Sequence, residues 1–483
     1  MRTKIFIAIF SLLSITVITL FSSTTYESYS SLYDAEYTGS ESCKGCHPII
    51  SAEWENSPHA KMTREPTQES VVGNFNNGEW FLPEYARKTP VDFVEPAAKM
   101  FEKNGEYFMA LRHPLNNQFI PFKIEFVIGY QYRQTYITRE AGGVLRRLPL
   151  QWSVPRQDFF PYWNYQEKSE PSVQDLWAQM QTLNSAWNLF CARCHTTHLT
   201  VEEKNPQHTQ AKTHWVDEGI ACEACHGPGS QHNNYFEGNY VNRVAAFVNS
   251  KLRDQPVAYI ANAPKLTKGQ DLSVCGRCHG ADIFTTSTDV YRIYEPGYSR
   301  KGRTNDLSKH FREAPLQAGR TQATIECWED SRPKGIGMLF RSFVESDCYQ
   351  KGEVRCYDCH QAHDNKKPTK ENILKPSEVS NDYCLNCHTN LKNKIEEHSF
   401  HRAGTSGSFC YDCHMPNHIL SMVSGVDKLL PTHTMSSIPN PKMSEKLGVK
   451  GSPNACNDCH YKESTSWAIE WTEKWWGKTV NSE

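Results

Sequence analysis

The sequence is short of apolar residues. Of its 483 residues, 38% are hydrophobic. With glycine counted and tyrosine left out the share is about 39%, against about 45–50% in ordinary globular domains. A chain this polar has little from which to build a conventional core, although its length would usually suggest two or three domains. Charge of one sign is lacking too: 52 Lys and Arg stand against 54 Asp and Glu, for a formal net charge of −2. That balance gives no reason to expect nucleic acid or an anionic membrane as a partner. Beyond the N-terminus no segment is apolar enough to cross a bilayer. No serine triad, phosphate-binding loop or carboxylate pair stands out.

What the sequence has is cysteine in one repeated pattern. Sixteen of its 18 cysteines fall in eight CxxCH motifs. These are CKGCH (Cys43, Cys46, His47), CARCH (Cys191, Cys194, His195), CEACH (Cys222, Cys225, His226) and CGRCH (Cys275, Cys278, His279). CYDCH (Cys356, Cys359, His360), CLNCH (Cys384, Cys387, His388), a second CYDCH (Cys410, Cys413, His414) and CNDCH (Cys456, Cys459, His460) complete the set. Zinc sites and redox dithiols use CxxC pairs, but neither requires histidine directly after the second thiol. Covalent haem does: both thiols bond the porphyrin and the histidine ligates iron. The expected cofactor is therefore eight haem c groups. At about 60 residues per haem, the porphyrins would supply the apolar surface that the side chains lack.

Haem is attached to such motifs outside the cytoplasm, and the N-terminus agrees. Arg2 and Lys4 precede the apolar run IFIAIFSLLSITVITLF. Residues 1–25 read as a signal peptide or, with no A-x-A cleavage site, as an N-terminal membrane anchor. The expected location is extracytoplasmic and most simply periplasmic.

The motifs divide the chain unevenly. Residues 37–70 form a first haem segment. Residues 71–165 carry no motif, and FKIEFVIGYQYRQTYITRE alternates β-branched and aromatic residues before a Gly142–Gly143 turn and VLRRLPLQWSV. This predicts a β-hairpin or small sheet. Residues 180–477 would hold the other seven haems on short helical turns joined by polar loops. The expected fold is thus mainly α and irregular, built around covalent haems, with a β-rich haem-free N-terminal section. Near the C-terminus Trp467, Trp471 and Trp475 recur on one helical face, with Gly477 as the stop. Such a stripe reads as packing, against protein or a haem edge.

Each low-spin haem iron needs a second axial ligand. Beyond the eight motif histidines the chain has His59, His113, His198, His208, His214, His232, His310, His363, His398, His401, His418 and His433. That is enough to make every haem bis-histidine. His363 is too close in sequence to His360 to reach the far face of the same haem; a neighbouring haem is within reach. Met415 cannot swing across its own haem either, and Met435 is an unremarkable alternative.

SESCKGCH with SPHA, GIACEACHGPGSQH, CYDCHQAHD, CYDCHMP and SPNACNDCH resemble the multihaem cytochrome c family that includes the tetrahaem c-554-type electron carriers. The likeness is closest to its larger periplasmic members, some of which carry C-terminal tetratricopeptide repeats. It runs from about Tyr37 to Gly477. The resemblance implies distal ligation by His59, His232, His363, His401 and His433, with His398, His418 and His310 as further members. His113, His198, His208 and His214 are then surface or hydrogen-bonding residues. Cys327 and Cys348, outside the motifs, could close a disulfide in an oxidising compartment or stay as thiols.

Two functions remain open. One is electron transfer along mostly bis-histidine haems between redox partner proteins, with oligomers or filaments as a further option. The other is a haem enzyme with one five-coordinate iron acting on a small nitrogen or sulfur species, as in hydroxylamine oxidoreductases and nitrite or tetrathionate reductases. No CxxCK occurs, so the lysine-ligated haem typical of nitrite reductases is missing.

Overall fold

The computed structural model describes residues 35–161, 171–252, 259–262, 266–279, 327–330, 332–334, 339–360, 362–363, 381–420, 429–435 and 441–477. The N-terminal segment 1–25 and His310 lie outside these residues.

Between the first and second motifs the chain builds two antiparallel sheets. Its strands are β1 (Thr63–Arg64), β2 (Gly78–Trp80), β3 (Ala98–Lys103), β4 (Glu106–Arg112) and β5 (Phe119–Lys123). Next come β6 (Phe126–Ile128), β7 (Arg133–Arg139), β8 (Leu145–Ser153) and β9 (Asp158–Pro161). One sheet runs β2-β3-β4-β5 and the other β1-β6-β7-β8-β9. The hairpin read from the sequence is β7–β8, with Arg139 opposite Leu145. Its turn closes when the Gly143 N–H donates to the Glu140 carbonyl and the Glu140 N–H to that of Val144. Gly143 has φ +80°, and a Cβ there would stand 2.5 Å from the Ala211 carbonyl oxygen. Both facts call for glycine.

β8 is buried along its whole length. The helix Val173–Gln181 packs on it and brings Val173, Leu176 and Met180 into a core with Trp80, Met100, Leu111 and Tyr136. That helix starts at a capping box, Ser172 with Asp175, which satisfies donors at its open end. Arg112 and Asp92 form a buried ion pair at 2.5 Å. So the haem-free section makes a protein core of its own.

From residue 187 on, seven of the described helices carry all or part of a motif, six of them one turn long and the fourth motif's longer: Ala192–His195, Cys222–His226, Lys268–His279, Cys356–Cys359, Asp382–Leu385, Cys410–His414 and Ala455–Cys459. A single turn places the two thiols of a motif, three residues apart, on one side. The polar loop expected after the second motif is instead strand: β10 (Thr196–Thr197) pairs with β13 (Asp217–Glu218), and β11 (Thr200–Lys204) with β12 (Ala211–His214). A last pair, β14 (Ile419–Leu420) and β15 (Leu429–Leu430), follows the seventh motif.

Two acids, the buried Glu223 and the half-buried Asp217, tie the start of the chain to this region. The Glu223 carboxylate accepts from the backbone N–H groups of Thr38, Gly39 and Gly229 at 2.7–3.0 Å. Asp217 accepts from the N–H and hydroxyl of Ser40. No disulfide joins Cys327 and Cys348. Cys327 bridges to Pro333, while Cys348 faces the sixth motif, where Cys384 and Cys387 act on its thiol. Among the described residues no helix is long and apolar enough to cross a membrane.

Candidate haem-binding sites

Six motif histidines each face a histidine from outside the motifs. His47 faces His232 with ring centroids 6.4 Å apart, His279 faces His59 at 6.3 Å, and His226 faces His363 at 5.9 Å. His360 faces His433 at 6.1 Å, His414 faces His398 at 6.0 Å, and His460 faces His401 at 6.2 Å. Four of these pairs lie within 26° of parallel. Parallel rings in contact stand much closer, as Tyr37 on His198 does at 3.8 Å and 18°. The wider gap is what one intervening iron needs. Two metal–imidazole bonds of about 2 Å, plus half a ring on each side, span about 6 Å.

The seventh motif shows the space as well as the ligands. A cavity of about 260 Å³ is lined by Cys410, Cys413, His414 and His398, with Ile395, Phe409 and Trp476 among its walls. Both thiols and both facing imidazoles thus open on one mostly apolar hollow, which suits a porphyrin.

Four of these imidazoles are held below the ordinary histidine value. Burial lowers His59 and His226 below the ordinary histidine value. Burial, then the facing ring, lowers His363 and His398. A neutral imidazole presents the lone pair that a metal takes. Four motif thiols move the other way: burial pushes Cys359 and Cys456 up to about 11, and Cys225 and Cys413 to about 12.

His195 and His388 differ from the other six. Among the described residues neither has a facing histidine. His388 is exposed. His195 is held inside: its carbonyl accepts from the Thr63 hydroxyl at 2.6 Å, and the Trp187 indole stands edge-on at 6.5 Å. Cys191 and Ala192 belong to a core with Phe126, Ile137, Leu145 and Trp187, so the second motif is built into the β section. Burial and the Arg133 charge lower His195 to about 4.

His418, expected as a distal ligand, is placed otherwise. Its Nε2 meets Asp458 Oδ2 at 2.8 Å and its Nδ1 lies 3.5 Å from an Arg332 nitrogen. With both ring nitrogens engaged it locks the seventh and eighth motif segments together rather than facing a motif histidine. His113 packs edge-on to Trp177, and His208 is tilted against Phe190. The tryptophan stripe lies on the helix Thr465–Trp476, capped by Ser464 and stopped by Gly477 at φ +67°. It covers the eighth site: Trp467 packs on His460 at 4.8 Å and Trp475 on His401 at 5.9 Å.

Residues 160–227 match the family described as cytochrome c554 and c-prime. The dissimilatory sulfite reductase MccA of Wolinella succinogenes is 20% identical over 422 residues, 80% of this chain and 51% of that protein. The multihaem cytochrome MtrA of Shewanella baltica is 22% identical over 199 residues, 41% of this chain and 36% of that protein. The chain therefore spans about half the length, or less, of these relatives. The crystal structure of the outer cell wall cytochrome OcwA aligns over 91% of this chain and 86% of that one, with a TM-score of 0.46 and 17% identity.

Proposed function

We propose that the chain is a multihaem c-type cytochrome that carries eight covalent haems and transfers electrons between redox partner proteins outside the cytoplasm. The six facing histidine pairs carry this reading. Each pair would hold one iron from both sides: His47 with His232, His279 with His59, His226 with His363, His360 with His433, His414 with His398, and His460 with His401. Bound there, haem supplies reversible one-electron transfer. With haem bound, the two histidines of each pair would take both open positions on its iron and leave none for an outside ligand. Residues 1–25 would direct the chain across the inner membrane or tether it there. The test is the electron paramagnetic resonance spectrum of the oxidised protein together with its intact mass. Eight haem additions and at least six low-spin irons are expected; fewer than six low-spin irons would overturn the reading.

A second reading rests on His195. The ring nearest it is the Trp187 indole, which cannot ligate iron. A five-coordinate iron at this motif would bind a small nitrogen or sulfur species, and the chain would then act as an oxidoreductase. Sulfite, in the name of the Wolinella relative, is the first compound to try. Loss of a high-spin signal on adding sulfite supports this reading. An oxidised spectrum with no high-spin iron refutes it.

A further inference from the structure

The helix Tyr240–Leu252 turns an apolar face outward. Tyr240, Val244 and Phe247 recur at helical spacing with Val241 beside them, and they are 78%, 52%, 65% and 53% exposed. The inward side carries Ala245, which is buried. Large apolar side chains gathered on one exposed face mark a contact surface, unlike the same residues scattered singly. The helix is also basic. Residues 239–252 include Arg243 and Lys251 and no Asp or Glu, although the chain as a whole is balanced in charge. The Arg243 guanidinium stands 5.5 Å from the Tyr240 ring centroid, so its charge borders the apolar face.

This helix is fixed to the place where the chain enters the fold. It follows the short helix Ser230–Phe236 after a turn at Gly238, φ +64°. Asn242 Nδ2 donates to the Tyr235 carbonyl at 2.7 Å, and Arg243 Nε to that of Phe236 at 3.2 Å. At the other end of the short helix, the Glu36 N–H donates to the Ser230 hydroxyl at 2.8 Å and the Ser230 N–H to the Glu36 carbonyl at 3.1 Å. Asn233 Nδ2 donates to the Ser42 hydroxyl at 3.1 Å. Residues 36–42 thus lie along the element that carries the apolar face. Between residue 25 and this point run only residues 26–35, which span at most ~35 Å. A tether ending at residue 25 keeps this part of the molecule at the bilayer.

We propose that the face formed by Tyr240, Val241, Val244 and Phe247 rests on the lipid surface to which the chain is tethered. The two rings and two valines enter the boundary between headgroups and acyl chains, and Arg243 meets lipid phosphate. The proposal rests on the tether reading of residues 1–25 and adds a second point of contact. A tether alone lets the haem-bearing body turn freely. A tether with a docked helix holds it in one orientation, so the same side of the protein always faces away from the membrane.

Lipid crosslinking of the haem-loaded full chain tests this. The chain is reconstituted in vesicles of phosphatidylethanolamine and phosphatidylglycerol doped with a diazirine-bearing phospholipid, and crosslinked residues are mapped by mass spectrometry. Crosslinks are expected within residues 1–25 and within residues 240–247. Crosslinks confined to residues 1–25 would overturn the proposal and leave the tether standing; this is also the result if a second copy or another part of the loaded chain covers the helix. Crosslinks at 240–247 on a chain whose mass shows residues 1–25 removed would refute the tether and leave the docked face standing. Val244→Asp/Phe247→Asp alters two exposed positions and should keep the wild-type haem content. Its crosslinking at 240–247 should fall by about tenfold or more, with that at 1–25 unchanged. Equal crosslinking at 240–247 in variant and wild type would overturn the proposal.

Discussion

Replacing Arg112 by methionine should unsettle the β section through a single carboxylate. Asp92 is pushed up by burial, but hydrogen bonds from Arg112, from the Thr89 hydroxyl and from the Thr89 and Lys88 N–H groups outweigh it, leaving Asp92 at about 2. The fall from 3.8 to about 2 is worth ~2.5 kcal/mol of folding stability. Because the folded value lies below the unfolded one, that stability is full above pH ~4 and is lost as pH falls towards 2. Arg112→Met leaves the carboxylate buried without its cation, a loss of about 3–5 kcal/mol. Against a total of about 5–15 kcal/mol for a typical domain, this is a large fraction. Haem absorption swamps optical probes, so hydrogen–deuterium exchange by mass spectrometry is the assay, read on peptides from β3, β4 and β8. Protection there should fall by ~2–3 powers of ten in the variant at pH 7. Arg112→Met/Asp92→Asn should recover part of the loss, since asparagine keeps the Thr89 cap without the charge. A single variant within ~1 kcal/mol of wild type, or a double variant no better than the single, would refute the argument.

Further outcomes are expected. His363→Met should leave the haem count unchanged but raise the potential of one haem, that of the third motif; unchanged titration and spectra would show that His363 is not an axial ligand. His418→Gln should leave all low-spin signals intact while loosening the seventh and eighth segments, seen as faster exchange in residues 410–420 and 454–460; appearance of a new high-spin iron would make His418 a ligand after all. Trp475→Ala removes a half-buried ring, so it should lower stability by about 1–3 kcal/mol and open the eighth site to solvent, with the Soret band of one haem shifted. Chain made without haem-attachment machinery should keep exchange protection only in the β section and the helix Val173–Gln181 packed on it; protection across the third to eighth motif segments would show that the core needs no porphyrin.

The β7–β8 hairpin was legible because its signal is local: the strand alternation around Gly142–Gly143 is confined to one stretch. The histidine partnerships were not legible to the same degree. His59 and His279, or His226 and His363, come from segments far apart, and only the folded chain brings them face to face. His363 illustrates the limit well: its nearness to His360 ruled out their sharing an iron, but nothing in the spacing pointed to His226. His418 misled for the same reason. It follows a motif at ligand-like distance, yet its nitrogens are taken by Asp458 and Arg332 from two other parts of the chain. The ribbon β10–β13 escaped notice because its strands are two to five residues long and charged.

The long-range histidine pairs also set a timetable for biogenesis. If the chain is threaded across a membrane from its N-terminus, as proposed above, His47 and its cysteines emerge well before His232. His226 must likewise wait for His363. Haem attached as each motif emerges would therefore sit on an iron with one permanent ligand, its second place taken by water or a passing side chain. Closing each pair brings distant segments together at an entropic cost that rises only slowly with the intervening length. Maturation would then have two overlapping phases: covalent attachment in chain order, and an exchange of provisional for final ligands that runs on until His433 has crossed. A pulse-chase of secreted chains should show this as haem on the first motif ahead of its low-spin signal.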